Sequence, residues 1–482
     1  MHAPAITDFT LRTLQAPREG YDLDKPSLLA VCYEFPPQVT PMANRMQEIL
    51  GRLASRWDIT VIAPQGSSPL PRTRHLAIPV PQTGKARQRL QRARLQKLGD
   101  WLPLSDPLDG WRKAAYAAAL EQIERRRPDL LLVFIYPYAS GDVGLQLRQA
   151  TRIPTVFNFN DSPSCDDMHP VYPSRWHFQR MLAWEDRIVE AAAAVIYVSR
   201  RNLEKVRERQ TPQNQGKLHL VRAGVTDRLP PPAARARRPE APWTILYAGN
   251  MSGWVEFFDP PGRTPAYKRV LAAWNRLGQH TRMRHDFKGS TPYYLVQALR
   301  RLGRRVPAFK DRFRFELIGN TYPARMIERA LRHANLADVV SVRGALPHHE
   351  ALSQLQAADV LFMCLPGRPD GSPGGRISAK TYEYLATDRP ILAALPAGEN
   401  REYLEGQPGV WITEPHDVEA MTHALQDIAG ASQAAGGRAC FSRRDLLRTV
   451  GYAELTRKFE DVLHSVLGVT ACSQSTRPGS IH

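Results

Sequence analysis

The sequence predicts an α/β protein of two doubly wound, Rossmann-like parallel sheets, on three observations. Short continuous apolar runs alternate with longer amphipathic stretches, the alternation restarts in the second half, and a Pro-rich basic segment separates the halves. At 482 residues the chain exceeds the size at which one hydrophobic core keeps growing, so two domains are expected.

Residues 1–26 are polar, end in Lys25-Pro26, and are expected to be a disordered lead. The N-terminal domain is placed at 27–229. Leu28 to Tyr33 reads as a buried parallel strand, Phe35-Pro36-Pro37 as the loop at its C-terminal end, Met42 to Arg56 as a helix, and Asp58 to Ala63 as the next strand, which makes a βαβ unit. Strands follow at Leu130 to Ile135, Pro154 to Phe159, Ala194 to Val198 and His219 to Arg222, with helices at Trp111 to Arg126 and Arg175 to Ala193. Residues 230–242, opening on three prolines and closing on Pro242, form a stiff linker. The C-terminal domain, 243–441, restarts with the strand Trp243 to Ala248 and its terminal Gly249-Asn250; Phe313 to Ile318 ends likewise in Gly319-Asn320. A helix over Thr291 to Leu302, strands at Val339 to Arg343, Val360 to Cys364 and Pro390 to Ala394, and a helix over His348 to Ala357 complete the second sheet. A helix over 442–467 follows and is expected to pack back on the N-terminal domain; 468–482 reads as a disordered tail.

Five widely spaced cysteines, with no CxxC pair and no Cys/His cluster, argue for reduced thiols and a cytoplasmic compartment, and against a disulfide frame. Neither a secretory leader nor a run of 18 apolar residues is expected to matter, since the chain shows neither. The net charge of +18 calls for a partner or a solvated surface. It concentrates in Lys85, Arg87, Arg89, Arg92, Arg94 and Lys97, interrupted by leucines and followed by Trp101. That pattern over 85–102 fits either an anionic membrane surface, at whose inner face the protein would be peripheral, or a solvated arm. A specific nucleic-acid partner is not expected, because the aromatics do not interleave with the basic residues.

The segment Ser378 to Ala393 is the most informative. Ser378 and Ala379 open a short helix, Glu383 lies about one turn further in, and Pro390 introduces a buried strand. A helix N-terminus holds an anion through free N–H groups, and an acid at that distance accepts both hydroxyls of a ribose. This Ser-x-Lys-x-x-Glu-Tyr-Leu-Ala run resembles the donor motif of family 4 glycosyltransferases of the two-Rossmann (GT-B) type. Tyr33-Glu34-Phe35-Pro36-Pro37 followed by Asn44-Arg45, the stretch Arg187 to Ser199, and Gly344 to Asp359 resemble further family elements in the same order, so the likeness covers residues 27–395.

The resemblance implies two domains facing across a cleft and transfer of a sugar from a nucleoside diphosphate sugar to a glycan or lipid-linked acceptor, with retention. The donor is a co-substrate, and neither a cofactor nor a metal is implied. Donor binding falls to Glu383, Ser378, Ala379, Gly249, Asn250, Gly319, Asn320 and Arg343. Phosphate stabilisation falls to Lys288, whose Lys-Gly pair resembles the family's phosphate contact, with Lys380 and Arg376. The acceptor side falls to Phe35, Pro36, Pro37, Asn160 and Asp161. Asp161, Asp166, Asp167 and His169 are too irregularly spaced for a metal site and read as a polar loop. Two departures stand out: of the family's two glutamates only Glu383 is present, with Arg376 seven residues earlier, and Asn250 replaces a customary Arg. Residues 251–287 form an insertion whose role as lid, acceptor contact or surface decoration is open. A nucleotide-sugar 2-epimerase and a non-catalytic binding or scaffold protein of the same fold are the rival readings.

Overall fold

The computed structural model describes residues 22, 24–38, 40–80, 89–90, 101, 108–226, 242–249, 266–305, 313–319, 328, 332, 337–435 and 439–468. Most of the lead, the basic segment and the linker, and all of the tail from 469, lie outside these residues, as do Asn250, residues 251–265 and Asn320.

Two parallel sheets organise the chain. The first joins β1 (Ser27–Val31), β2 (Asp58–Pro64), β3 (Thr73–Ile78), β4 (Leu130–Ile135), β5 (Thr155–Phe159), β7 (Ala194–Tyr197) and β8 (Leu218–Leu220) in the order β3-β2-β1-β4-β5-β7-β8. The second joins β9 (Trp243–Ala248), β11 (Phe313–Ile318), β12 (Val340–Arg343), β13 (Val360–Cys364), β14 (Ile391–Ala394) and β15 (Val410–Thr413) in the order β12-β11-β9-β13-β14-β15. In each the winding reverses once, between β1 and β4 and between β9 and β13. Open α/β sheets bind ligands beyond the strand ends at such a reversal. A two-strand antiparallel ribbon, β6 (Val171–Tyr172) with β10 (His280–Thr281), ties the described half of the insertion to the N-terminal domain.

The strands are apolar because helices cover both faces: every residue of β1, β2, β4 and β13 is buried. The helix Pro41–Leu53 shows how a covering element is specified. Thr40 caps it by accepting from the Ala43 N–H (3.1 Å), Pro41 occupies the first turn, and Ala43, Met46, Ile49, Leu50 and Leu53 form the buried stripe. Arg45 is also buried, at 2% exposure, and donates to the carbonyls of Arg222 (2.6 Å) and Val221 (2.9 Å). In this chain it anchors that helix to the end of the N-terminal domain.

The C-terminal element is two helices, Arg444–Val450 and Tyr452–Leu467, because Gly451 is extended (φ −67, ψ 144). The second inserts Leu455, Phe459, Val462 and Leu463 into the core formed by β1, β2, β4 and the helix Pro41–Leu53. Glu460 fixes it there, accepting a two-pronged bond from Arg56 and one from Trp57 Nε1 (2.9 Å).

Candidate functional site

Gly249 and Gly319 lie side by side at the ends of β9 and β11. The Gly249 N–H donates to Ile318 O (2.8 Å). Gly319 has φ +135, and a Cβ there would stand 2.0 Å from the Gly249 carbonyl oxygen, so only glycine fits. The helix Ala379–Leu385 is hung on the same strand end by two tyrosines. Lys380 Nζ donates to Tyr247 Oη (2.9 Å) and sits 4.2 Å from the Tyr247 ring centre, while Tyr384 Oη accepts from the Ala248 N–H (3.0 Å). A Cβ on Gly249 would come within 2.5 Å of Lys380 Nζ, so bare backbone is what lets the ammonium lie against the strand end. Among the described residues no carboxylate pairs with Lys380. Burial brings its pKa down to about 8, with Cys364 opposing and Arg376 reinforcing that shift.

Ser378 is buried and precedes the first turn of this helix without capping it through its side chain; Ala379 begins it. Glu383 Oε1 lies 3.0 Å from His348 Nε2, and this hydrogen bond raises the histidine's pKa against the effect of burial. His348, read from sequence only as the first residue of a helix, is thus a site neighbour that the reading missed. Arg343 ends β12 exposed and engages Gln354 (3.1 Å) and Glu316 (3.6 Å). Lys288 is exposed, with its ammonium 5.3 Å from the Tyr293 ring centre. Its turn is held at the end of β13 by the Asp286 N–H, which donates to Gly367 O (2.8 Å).

The halves meet over an open cleft lined by Asp167 of the N-terminal domain and by residues including Leu365, Gly374, Arg376, Gly398 and Asn400 of the other. Asp167 accepts from the Gly375 N–H (2.7 Å) and the Arg376 N–H (3.1 Å) and pairs with Arg368, which also reaches Asp166. Asp166 and Asp167 are therefore inter-domain clasps; among the described residues no cluster suited to a metal ion occurs. A second clasp is Glu399, whose carboxylate accepts from Ser199 Oγ (2.8 Å), the Arg200 and Arg201 N–H groups and Arg222. Nothing in the local sequence around Glu399 or Arg368 marks them for these roles, since their partners lie far away in the chain.

On the N-terminal side, Asn160 is buried at the end of β5, and its Nδ2 has no hydrogen-bond partner among the described residues. Beside it, burial raises the pKa of Asp161; Arg376 across the cleft opposes the shift and Glu34 adds to it. Phe35 is placed differently from the sequence expectation. It is fully buried in the core against His75, so of the Phe-Pro-Pro loop only the half-buried Pro36 and the exposed Pro37 are available to the cleft.

Comparison with known proteins agrees with this layout. A glycosyl transferase 4-like domain matches residues 42–224, and a glycosyl transferases group 1 domain matches residues 277–430. The chain is 27% identical over 113 residues to WcaL of Escherichia coli (strain K12), whose name provisionally assigns it to colanic acid biosynthesis as a glycosyltransferase; the aligned part spans 23% of this chain and 27% of that protein. Its fold is similar to that of sucrose-phosphate synthase from Thermosynechococcus elongatus, with a TM-score of 0.59, 17% identity, and 92% of this chain and all of that chain covered. It is similar also to Anabaena HepE, solved in complex with UDP and glucose, with a TM-score of 0.56, 12% identity, and 91% of this chain and all of the other covered. Two matched domains in family order, on two facing parallel sheets, place the chain: it belongs to the family 4-like glycosyltransferases of GT-B architecture.

Proposed function

We propose that the protein transfers a sugar from a nucleoside diphosphate sugar to a glycan or lipid-linked acceptor, with retention. The observation that carries the donor half is the Lys380 ammonium, held without a carboxylate partner among the described residues, against the bare backbone of Gly249, where β9 ends beside β11. A diphosphate supplies the missing negative charge, and the bare backbone of Gly249 lets the Lys380 ammonium stand at the strand end to meet it. Glu383 takes the ribose hydroxyls, exchanging its bond to His348 for them, and Arg376 and Lys288 lie on loops flanking the same strand ends. The leaving diphosphate gains charge in the transition state, so Lys380, Arg376 and Lys288 act by stabilising it, with no proton transferred from the protein. HepE, solved with UDP and with UDP-glucose, shares the fold and supports a nucleotide donor of this kind.

Asn160 and Asp161 are assigned to the acceptor. The Nδ2 of Asn160, without a partner among the described residues, offers a donor to an acceptor oxygen, and Asp161 faces it across the cleft from Arg376. The test is calorimetric titration of UDP into the wild-type protein and Glu383→Ala, together with slow hydrolysis of a panel of nucleotide sugars. Saturable UDP binding that weakens in the variant is expected; no nucleoside diphosphate binding by the wild type refutes the reading.

A further inference from the structure

The described half of the insertion builds a surface unlike the rest of the molecule. The helix Ala266–Arg276 carries Tyr267, Val270 and Trp274, with Leu277 just past its end, so their spacing of three, four and three residues puts them along one side. All four are exposed, from 49% for Trp274 to 70% for Val270. From Ala266 to His285 there is no acidic residue, and Arg269 and Arg276 are exposed on the same helix.

The segment that follows this helix, residues 278–282, is docked on the N-terminal domain. β10 pairs with β6, and Arg282 donates to the carbonyls of Pro163 (2.7 Å) and Ser164 (2.9 Å) while lying over the Phe178 ring. Gly278 abuts Trp101; Trp101 meets the His177 ring at 5.5 Å; His177 meets Trp176 at 4.9 Å; and Arg180 covers the Trp176 ring. Trp101 is 44% exposed and Trp176 59%, and the stretch Arg175 to Trp184 also lacks any acid. Three separate segments thus bring exposed indoles and arginines into one contiguous patch.

Exposed aromatic and aliphatic side chains among arginines, with no carboxylate between Ala266 and His285 or between Arg175 and Trp184, match the interface of an anionic bilayer. Indoles settle at headgroup level, aliphatic groups enter the acyl boundary, and guanidinium groups pair with lipid phosphates. We propose that this patch docks the protein on an anionic phospholipid bilayer, with the helix Ala266–Arg276 lying in the headgroup plane. The proposal is independent of the donor reading and assigns the insertion a role that the matched family domains do not provide.

The experiment uses the full chain with vesicles of phosphatidylcholine alone or mixed with phosphatidylglycerol, read by co-sedimentation and tryptophan emission. Binding to the mixed vesicles, with a blue shift in emission, is expected. Arg269→Gln with Arg276→Gln lowers the affinity by roughly fivefold for each arginine removed. Trp274→Ser with Leu277→Ser, and separately Trp176→Ser, reduce the blue shift, and all variants keep wild-type UDP affinity as a check of folding. Equal binding to neutral vesicles, unchanged binding by the variants, or loss of binding only on changing Arg87, Arg89, Arg92 and Arg94 to Gln overturns the proposal. So does sedimentation showing that the patch joins two copies of the chain. Loss of UDP binding with vesicle binding intact counts instead against the donor reading.

Discussion

Donor binding is expected to follow the protonation of one lysine. Burial lowers the pKa of Lys380 from the usual 10.5 to about 8. If its ammonium holds the diphosphate, only the protonated fraction of the protein binds, and the apparent dissociation constant scales as 1 plus ten to the power of pH minus about 8. UDP affinity then drops about tenfold between about pH 7 and about pH 9, and about tenfold more per further unit. The sign is fixed because lysine carries its charge below its pKa. Of its neighbours, Cys364 is pushed up to about 12 and Tyr247 lies well above its ordinary value, so neither of these two titrates in this window. The terminal phosphate of UDP, with a second pKa of about 6, is already ionised there. Calorimetric titration across this range, in buffers of different ionisation enthalpy, also reads proton uptake on binding, because the bound diphosphate raises the lysine's pKa. Lys380→Met binds weakly with a flat profile. A flat wild-type profile, or the wild-type slope persisting in Lys380→Met, refutes the reasoning.

Three further outcomes are expected. Glu383→Ala weakens UDP binding by about 1.5 to 3 kcal/mol, roughly ten- to a hundredfold, whereas a merely solvated glutamate would change it by less than about 0.5 kcal/mol. Gly319→Ala forces a Cβ onto the Gly249 carbonyl at a positive φ; denaturant titration is expected to show a loss of about 3 kcal/mol or more, with UDP binding abolished. Burial pushes the Glu460 carboxyl up, but the bonds from Arg56 and Trp57 outweigh it and hold its pKa below the ordinary value. Its stabilising contribution is therefore present above the unfolded pKa of about 4.3 and lost as pH falls through the folded one. Urea midpoints followed into acid show that loss in the wild type, and Glu460→Gln removes it.

The strands that could be read from sequence are those buried on both faces, where the apolar run is unbroken, as in β4 and β13. β3 and β15 escaped because they are edge strands with mixed or partly exposed residues, and the helix Tyr138–Thr151 because Gly141 and Gly144 interrupt its periodicity. In the candidate site, Gly249, Gly319, Lys380 and Glu383 were legible because each belongs to a local run whose geometry follows from spacing. Tyr247, His348, Arg368 and Glu399 were not. Each acts on a residue from another element or the other half of the chain, and long-range pairing leaves no trace in local pattern. Arg45 belonged to a legible motif, yet what it does, bonding two carbonyls more than 170 positions away, follows only from the fold.

The helix Tyr452–Leu467 has a consequence for how the chain is made. Its apolar side completes the core of the first of the two sheets to be made, so that half waits, with Leu28, Leu50 and Phe134 uncovered on one face, until residues 452–467 have been translated. The second sheet, whose main core draws only on residues from 243 to 428, closes before then. Maturation therefore runs against the order of synthesis. A nascent chain stalled before residue 452 would expose a greasy, chaperone-binding face, while its later-made half is already compact.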